Sequence, residues 1–440
     1  MFSAHDSTGA VAADQLIHLI RRRKVEVKFD RVLQAGGTEA VTETAASITD
    51  AQTAFTFTDS GITVEGSSDG YECNGTVLTI DAAGTYLLSG SCTDGSVKIK
   101  KGTTGVRLIL SGLSLTSADT APITCNKSSE VVIVAADGTE NVLTDAAANN
   151  DESNSGNENA ENAVIKCKDG SAVTLCGAGT LTLNAYGKNG IKSGATTAAS
   201  LTIRELTLNI NASVNDAINA EQYLAVESGT LNLATADVAL HCDLIMDIGA
   251  EGTDGPTIAI AEACEGIEAA ALSIRSGDIS IVCTDDCLNA ANSDLANYDF
   301  AINISGGTIV AYTTAGDGFD SNGSLTISGG NVTVWSGGNA DNQPLDADGT
   351  IAITGGTVLA AGSSAGMGMN LSTTQAYVIF GSAGISGMGN MGGQPGSFGG
   401  MQPPQNGGQP KSDSKVSGNF QPSDDFRPGD MTSNNISAAA

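Results

Sequence analysis

Aromatic residues make up only 4% of this 440-residue chain, with a single tryptophan, and charged residues only 16%. Basic residues are scarcer still. Twenty Lys and Arg stand against 49 Asp and Glu, a net charge of −29. A chain this negative argues against nucleic acid and anionic lipid as partners, since both are polyanions, and leaves metal cations and uncharged ligands. No apolar run approaches the roughly 20 residues that a transmembrane helix needs. Few large side chains, beside 55 glycines and many Thr, Val and Ile, disfavour a helical bundle. They favour short strands joined by tight turns.

Other absences narrow the chemistry. Among nine cysteines there is no CxxC pair of pairs, which excludes a zinc ribbon. Cys73 and Cys92 lie in an early Gly-rich segment and are able to pair. A chain this long needs no disulfide framework, so buried free thiols are the expectation. Cys283 and Cys287 are four residues apart, with no second pair or histidine following. No GxxxxGK[ST], strand-linked GxGxxG or nucleophilic triad appears. Residues 11–33 place Leu16, Ile17, Leu19 and Ile20 before Arg21, Arg22, Arg23 and Lys24, the reverse of the order in a secretory signal. Residues 1–53 are expected to form an irregular leader or a short amphipathic helix; the other reading is a start that hides the export signal.

What is present is a repeat. A short pattern (large aliphatic, polar, small) is centred on Ile123, Ile165, Ile191, Ile218, Leu240, Ile267, Leu288, Phe319 and Leu345, and in six of the nine a polar residue stands two places before the aliphatic one. Its steps are 42, 26, 27, 22, 27, 21, 31 and 26 residues, the long first step containing a polar insert, 146–162. A period near 25 residues is of solenoid length. The column after the aliphatic one is wholly polar, from Thr124 and Lys166 to Asp320 and Asp346. The next is wholly small, from Cys125 and Cys167 to Ser321 and Ala347. In, out, in is strand alternation. It accounts for Cys125, Cys167, Cys242 and Cys283 as core residues without redox or metal chemistry.

A second regularity completes each coil. Ile302–Gly307, Leu325–Gly330 and Ile351–Gly356 are each a strand ending in a Gly-Gly corner, and each leads into another strand. Three short strands per coil, stacked about 4.8 Å apart, make an all-β, right-handed parallel β-helix. Roughly ten coils fit between Phe55 and Phe380. Residues 54–380 are expected to form this domain, with a cap over 54–96. Residues 381–440, rich in Gly, Pro, Gln and Met, are expected to form a disordered tail.

The segments Asp137-Gly138-Thr139-Glu140-Asn141, Lys188-Asn189-Gly190-Ile191-Lys192-Ser193, Asn215-Asp216-Ala217-Ile218-Asn219-Ala220, Asp285-Asp286-Cys287-Leu288-Asn289-Ala290 and Gly316-Asp317-Gly318-Phe319-Asp320-Ser321, with Ala121-Pro122-Ile123, carry a family likeness. The sequence resembles the pectate-lyase-like β-helix carbohydrate-binding proteins of clostridia and related bacteria, over about residues 55–380. The resemblance implies a secreted or cell-surface protein that binds cellulose or acidic plant sugars and contains calcium.

The acids are unevenly placed. From Ser276 to Phe380 there is no Lys, Arg or His, but there are ten Asp. Asp286 and Asp317 share a column with Glu265 and Asp216, and Asp320 and Asp346 share the outward column with Glu268. Stacking sets such carboxylates about 5 Å apart, where like charges repel. With no basic partner nearby, calcium is the expected neutraliser, since it takes oxygen ligands from Asp, Asn and backbone carbonyls. Asp216, Glu265, Asp285, Asp286, Asp317, Asp320 and Asp346 are the candidate ligands. The alternative is a solvated acidic edge that keeps the solenoid soluble.

Aligning the Gly-Gly corners puts Tyr312 beside Trp335, both facing outward by alternation. Two exposed rings in register form a platform for sugar faces, with Asp341 and Asn342 near enough to hydrogen-bond hydroxyls. The other reading is an aromatic pair covering a strand end. A lyase on this fold needs a base, usually Arg, beside the metal, and the acidic stretch has none. Thr284-Asp285-Asp286-Cys287 resembles the paired acids of polygalacturonases, but their Gly-His-Gly and Arg-Ile-Lys signatures are missing. His241 is expected at the surface rather than acting as a base. The expectation is therefore a monomeric, extracellular or cell-surface protein that binds plant polysaccharide, cellulose or polygalacturonate-like, with calcium and without catalytic residues. A pectin-degrading lyase or hydrolase, and a surface spacer or adhesin, are the alternatives.

Overall fold

The aliphatic column is the spine of the molecule. In a computed structural model of the chain, Ile123, Ile165, Ile191, Ile218, Leu240, Ile267 and Leu288 are successive partners across parallel strands. Phe319 follows, and an isolated bridge joins it to Leu345. Every one of these side chains is buried. The description covers residues 51–338, 342–362 and 371–377. The expected tail and residues 1–50 of the expected leader lie outside the described residues.

Among the described residues there are 32 strands and no helix, arranged as a β-solenoid of about 11 turns. The stack begins earlier than the repeat suggested. Val97 pairs with Ile123, and Leu78 with Val97. Most coils supply three strands, while Leu240–Ile248 and Ile267–Ile274 each run unbroken through the first and second faces. The first face carries the aliphatic column. The second includes Ala172–Cys176, Ser200–Ile203, Ala301–Ile304 and Ser324–Ile327. The third includes Thr180–Ala185, Asp278–Cys283, Thr308–Thr313 and Asn331–Ser336. The inward residues of all three faces merge into one core, in which a buried Leu or Ile contributes about 1.5–3 kcal/mol.

Stacking also pairs the outward residues. On the third face Asn232 Nδ2 donates to Asn209 Oδ1 at 2.8 Å, and Asn211 Nδ2 to Asn184 Oδ1 at 3.2 Å. These amide ladders satisfy polar groups that identical neighbours bring together. At the corner before this face, Gly307, Gly330 and Gly356 all have positive φ, of 87°, 84° and 76°. A Cβ on Gly330 would stand 2.7 Å from the Gly307 carbonyl, so the close stacking of corners demands glycine.

The N-terminal end departs from parallel order. Thr53–Thr58 pairs antiparallel with Gly61–Gly66, and Tyr71–Asn74 antiparallel with Val77–Ile80. Phe55 and Phe57 are fully buried there, and Tyr71 meets Phe55 edge-on, 4.9 Å between ring centres. All nine cysteines are free. Cys73 and Cys92, which the sequence allowed to pair, are an exposed thiol on a hairpin and a core residue.

Candidate functional site

Between the third face and the first, the chain turns through a corner in every coil. The late corners carry the acids. Backbone N–H groups of Gly266, Cys287 and Gly318 donate to the carbonyls of Asp286, Asp317 and Gln343, which fixes Glu265, Asp286, Asp317 and Gln343 in one column. Asp286 Oδ1 accepts the N–H of Asp317 at 2.7 Å, and the Asp317 carboxylate accepts the N–H of Gln343. Carboxylates of Asp317, Asp320 and Asp346 converge, with oxygens within 4.8 Å of one another. Three hard oxygen donors at that spacing suit a calcium ion at about 2.3–2.6 Å from each.

Electrostatics make this corner costly when all the acids are charged. Burial pushes the Asp286 carboxyl up to about 8, and Asp320, Asp285 and Asp317 add to the rise. Burial, then Asp317 and Asp346, raises Asp320 to about 6. Glu265 rises to about 7 through burial and the charges of Glu268, Asp285 and Asp237. Asp317 is raised as well, chiefly by burial.

The expected ligands are not all in one place. Val238 interrupts the column between Asp216 and Glu265. Asp216 is instead committed internally. It accepts from Val238 N–H at 3.1 Å and from Asn219 Nδ2 at 2.6 Å. Asp285 is exposed. Asp341 lies outside the described residues, and Asn342 Nδ2 donates to the Ala315 carbonyl. One participant was not among the candidate ligands: Asn289, buried between Glu268 and Asp320 in the outward column, whose Nδ2 donates to Glu265 Oε2 at 3.1 Å. Its place in that polar column was the available signal.

Tyr312 and Trp335 are direct partners on the third face, 44% and 50% exposed. Their strand neighbours Ile309, Ala311, Val332 and Val334 are buried, as alternation requires. The apolar surface extends further than the two rings. Val310 precedes Tyr312 on its strand, and Leu359 lies one coil beyond Thr333; both are exposed. Five residues after Tyr312 the chain reaches Asp317, so strip and acids flank one corner.

His241 lies in the outward column but is partly buried, its side chain 22% exposed. Its Nε2 lies 2.9 Å from Asp243 Oδ1 and its Nδ1 3.0 Å from Glu268 Oε2. Burial alone would lower its pKa, but the two carboxylates outweigh it and raise the imidazole to about 10. An imidazole that stays protonated near neutrality is a poor proton acceptor there. Arg275, the last base before the acidic stretch, pairs with Asp247 at 2.8 Å.

Residues 74–366 match the family model described as "Carbohydrate-binding domain-containing protein". The chain belongs to this carbohydrate-binding family. One family relative, a carbohydrate-binding domain-containing protein of Acetivibrio thermocellus, is 32% identical over 157 residues. The match covers 36% of this chain and 53% of the relative, so the chain spans about half of that relative's length. A solved structure, described as the polysaccharide lyase-like protein from C. thermocellum in a gadolinium derivative, matches with 21% identity and a TM-score of 0.35. That match covers 73% of this chain and 97% of the other.

Proposed function

We propose that this carbohydrate-binding protein holds plant cell-wall polysaccharide, cellulose or a pectin-like acidic sugar, on the Tyr312–Trp335 strip, and does not cleave it. The observation that carries this reading is two solvent-facing rings in register on adjacent strands. Flat apolar rings match the flat faces of sugars, and rigid strands hold them ready at little entropic cost. In the same proposal, calcium sits on Asp317, Asp320 and Asp346. Their crowding, with no basic residue from Ser276 to Phe380, supports a cation there. A bound ion would neutralise the corner and fix its backbone beside the strip. The proposed setting is outside the cell or on its surface, where such polymers occur, with the protein acting as a monomer.

The state of the two basic side chains nearest the acids supports binding without cleavage. His241 is held charged between Asp243 and Glu268, and Arg275 is engaged by Asp247. The test is incubation with insoluble cellulose and with polygalacturonate in calcium. Retention on either polymer with no new unsaturated or reducing ends is expected. Release of such ends would make the protein an enzyme, and no retention would leave a surface spacer.

A further inference from the structure

The corner that carries Asp285 and Asp286 is bracketed by two thiols. Cys283 closes the strand Asp278–Cys283, and Cys287 immediately precedes the strand Leu288–Ala290. Both are buried, at 2% and 0% exposure. Their Sγ atoms lie 3.3 Å apart, and the Cys283 thiol also donates to the Asp285 carbonyl at 3.1 Å. A disulfide holds its sulfurs about 2.05 Å apart, so closure asks for a movement of only about 1.3 Å. The core role expected for Cys283 requires no such contact. A small apolar side chain would fill that place, whereas here two thiols meet across one turn.

We propose that Cys283 and Cys287 form a disulfide across this corner when the protein folds under oxidising conditions. One thiolate attacks a low-molecular-weight disulfide, forms a mixed disulfide and expels a thiolate. The second cysteine's thiolate then displaces the remaining half. The two protein thiols give up two electrons and two protons, and the reagent leaves as two thiols. Exchange takes place as the coil closes, while the sulfurs are accessible. Burial then shields the bond from reductants. The bond closes the short loop Cys283–Cys287 and fixes the backbone that presents Asp286. Cys125 and Cys167, also buried register partners, lie on neighbouring strands and form a competing pair for the test.

The full chain is produced once in an oxidising compartment and once in a reducing cytosol, then alkylated in denaturant. Nine alkylated cysteines are expected from the reducing preparation and seven from the oxidising one. Cleavage before aspartate separates Cys283 from Cys287, because Asp285 and Asp286 lie between them. The two fragments should stay joined until reduced. A Cys283→Ser variant should show eight alkylated cysteines in both preparations. Nine alkylated thiols in both wild-type preparations, a bond at Cys125–Cys167, or pairing of Cys287 elsewhere in the variant would overturn the proposal.

Discussion

Asp286 Oδ1 accepts the backbone N–H of Asp317, 2.7 Å away and one coil along the solenoid. A side chain in one coil thereby ties down the turn of the next. The bond favours the charged form of Asp286, yet burial and three neighbouring aspartates outweigh it. The acidic corner is thus well fixed in position and poorly compensated in charge.

That imbalance sets a pH dependence. A carboxyl with a raised folded-state pKa keeps its proton where the unfolded chain has lost it, so stability falls as pH rises between the two values. For Asp286 the window runs from 3.8 to about 8, and for Asp320 from 3.8 to about 6. In chelator, the melting temperature should fall between pH 5 and pH 8. His241 acts in the same direction at higher pH, its contribution being lost from 6.5 through about 10. A flat or rising profile from pH 5 to 8 would contradict this electrostatic account.

Calcium should reverse the trend. A ligand that binds only the folded state stabilises it by about 2.7 kcal/mol at a hundredfold excess over its Kd. Calorimetry at pH 8 is expected to show a higher melting temperature in millimolar calcium than in chelator. Asp317→Asn and Asp320→Asn should each shrink that gap, and in chelator should raise stability by relieving repulsion. Equal melting temperatures with and without calcium in the wild-type protein would remove the ion from the proposal.

Trp335→Ala is expected to weaken retention on polysaccharide about tenfold, equivalent to about 1.4 kcal/mol. The ring is half exposed, so stability should change by no more than about 0.5 kcal/mol. Tyr312→Ala should act in the same direction and couple with it, which a double-mutant cycle on the bound fraction would show.

His241→Leu removes the cation between Asp243 and Glu268 and leaves two partly buried carboxylates facing each other. A loss of about 1–3 kcal/mol is expected, measured by chemical denaturation near pH 7. His241→Gln retains hydrogen-bond donors and should lose less. Equal losses in the two variants would assign the effect to packing instead.

The coil architecture was legible because stacking imposes a period on the sequence. Every aliphatic position from Ile123 to Leu345 proved to be a register partner of the next. The pairing of Tyr312 with Trp335 was legible for the same reason, since strand alternation and one common corner fix both residues. Leu78 and Val97 were missed because Ile80 and Ile99 stand where the repeat has a small residue, although a core face needs only the aliphatic residue.

Which acids meet was a different matter. Shared columns suggested a ladder from Asp216 to Asp317, but Val238 breaks it and Asp216 turns to Asn219 and the Val238 amide. The converging trio joins Asp317 of the corner column to Asp320 and Asp346 of the strand column. The contact between Cys283 and Cys287 likewise depends on how one turn folds. The sequence by itself determined the solenoid, its register and the outward rings, because those follow from a one-dimensional period of apolar and polar residues. Only the tertiary structure decided the acidic trio, the clamped His241 and the contact of two thiols, because corners are irregular and close contact there depends on their three-dimensional path.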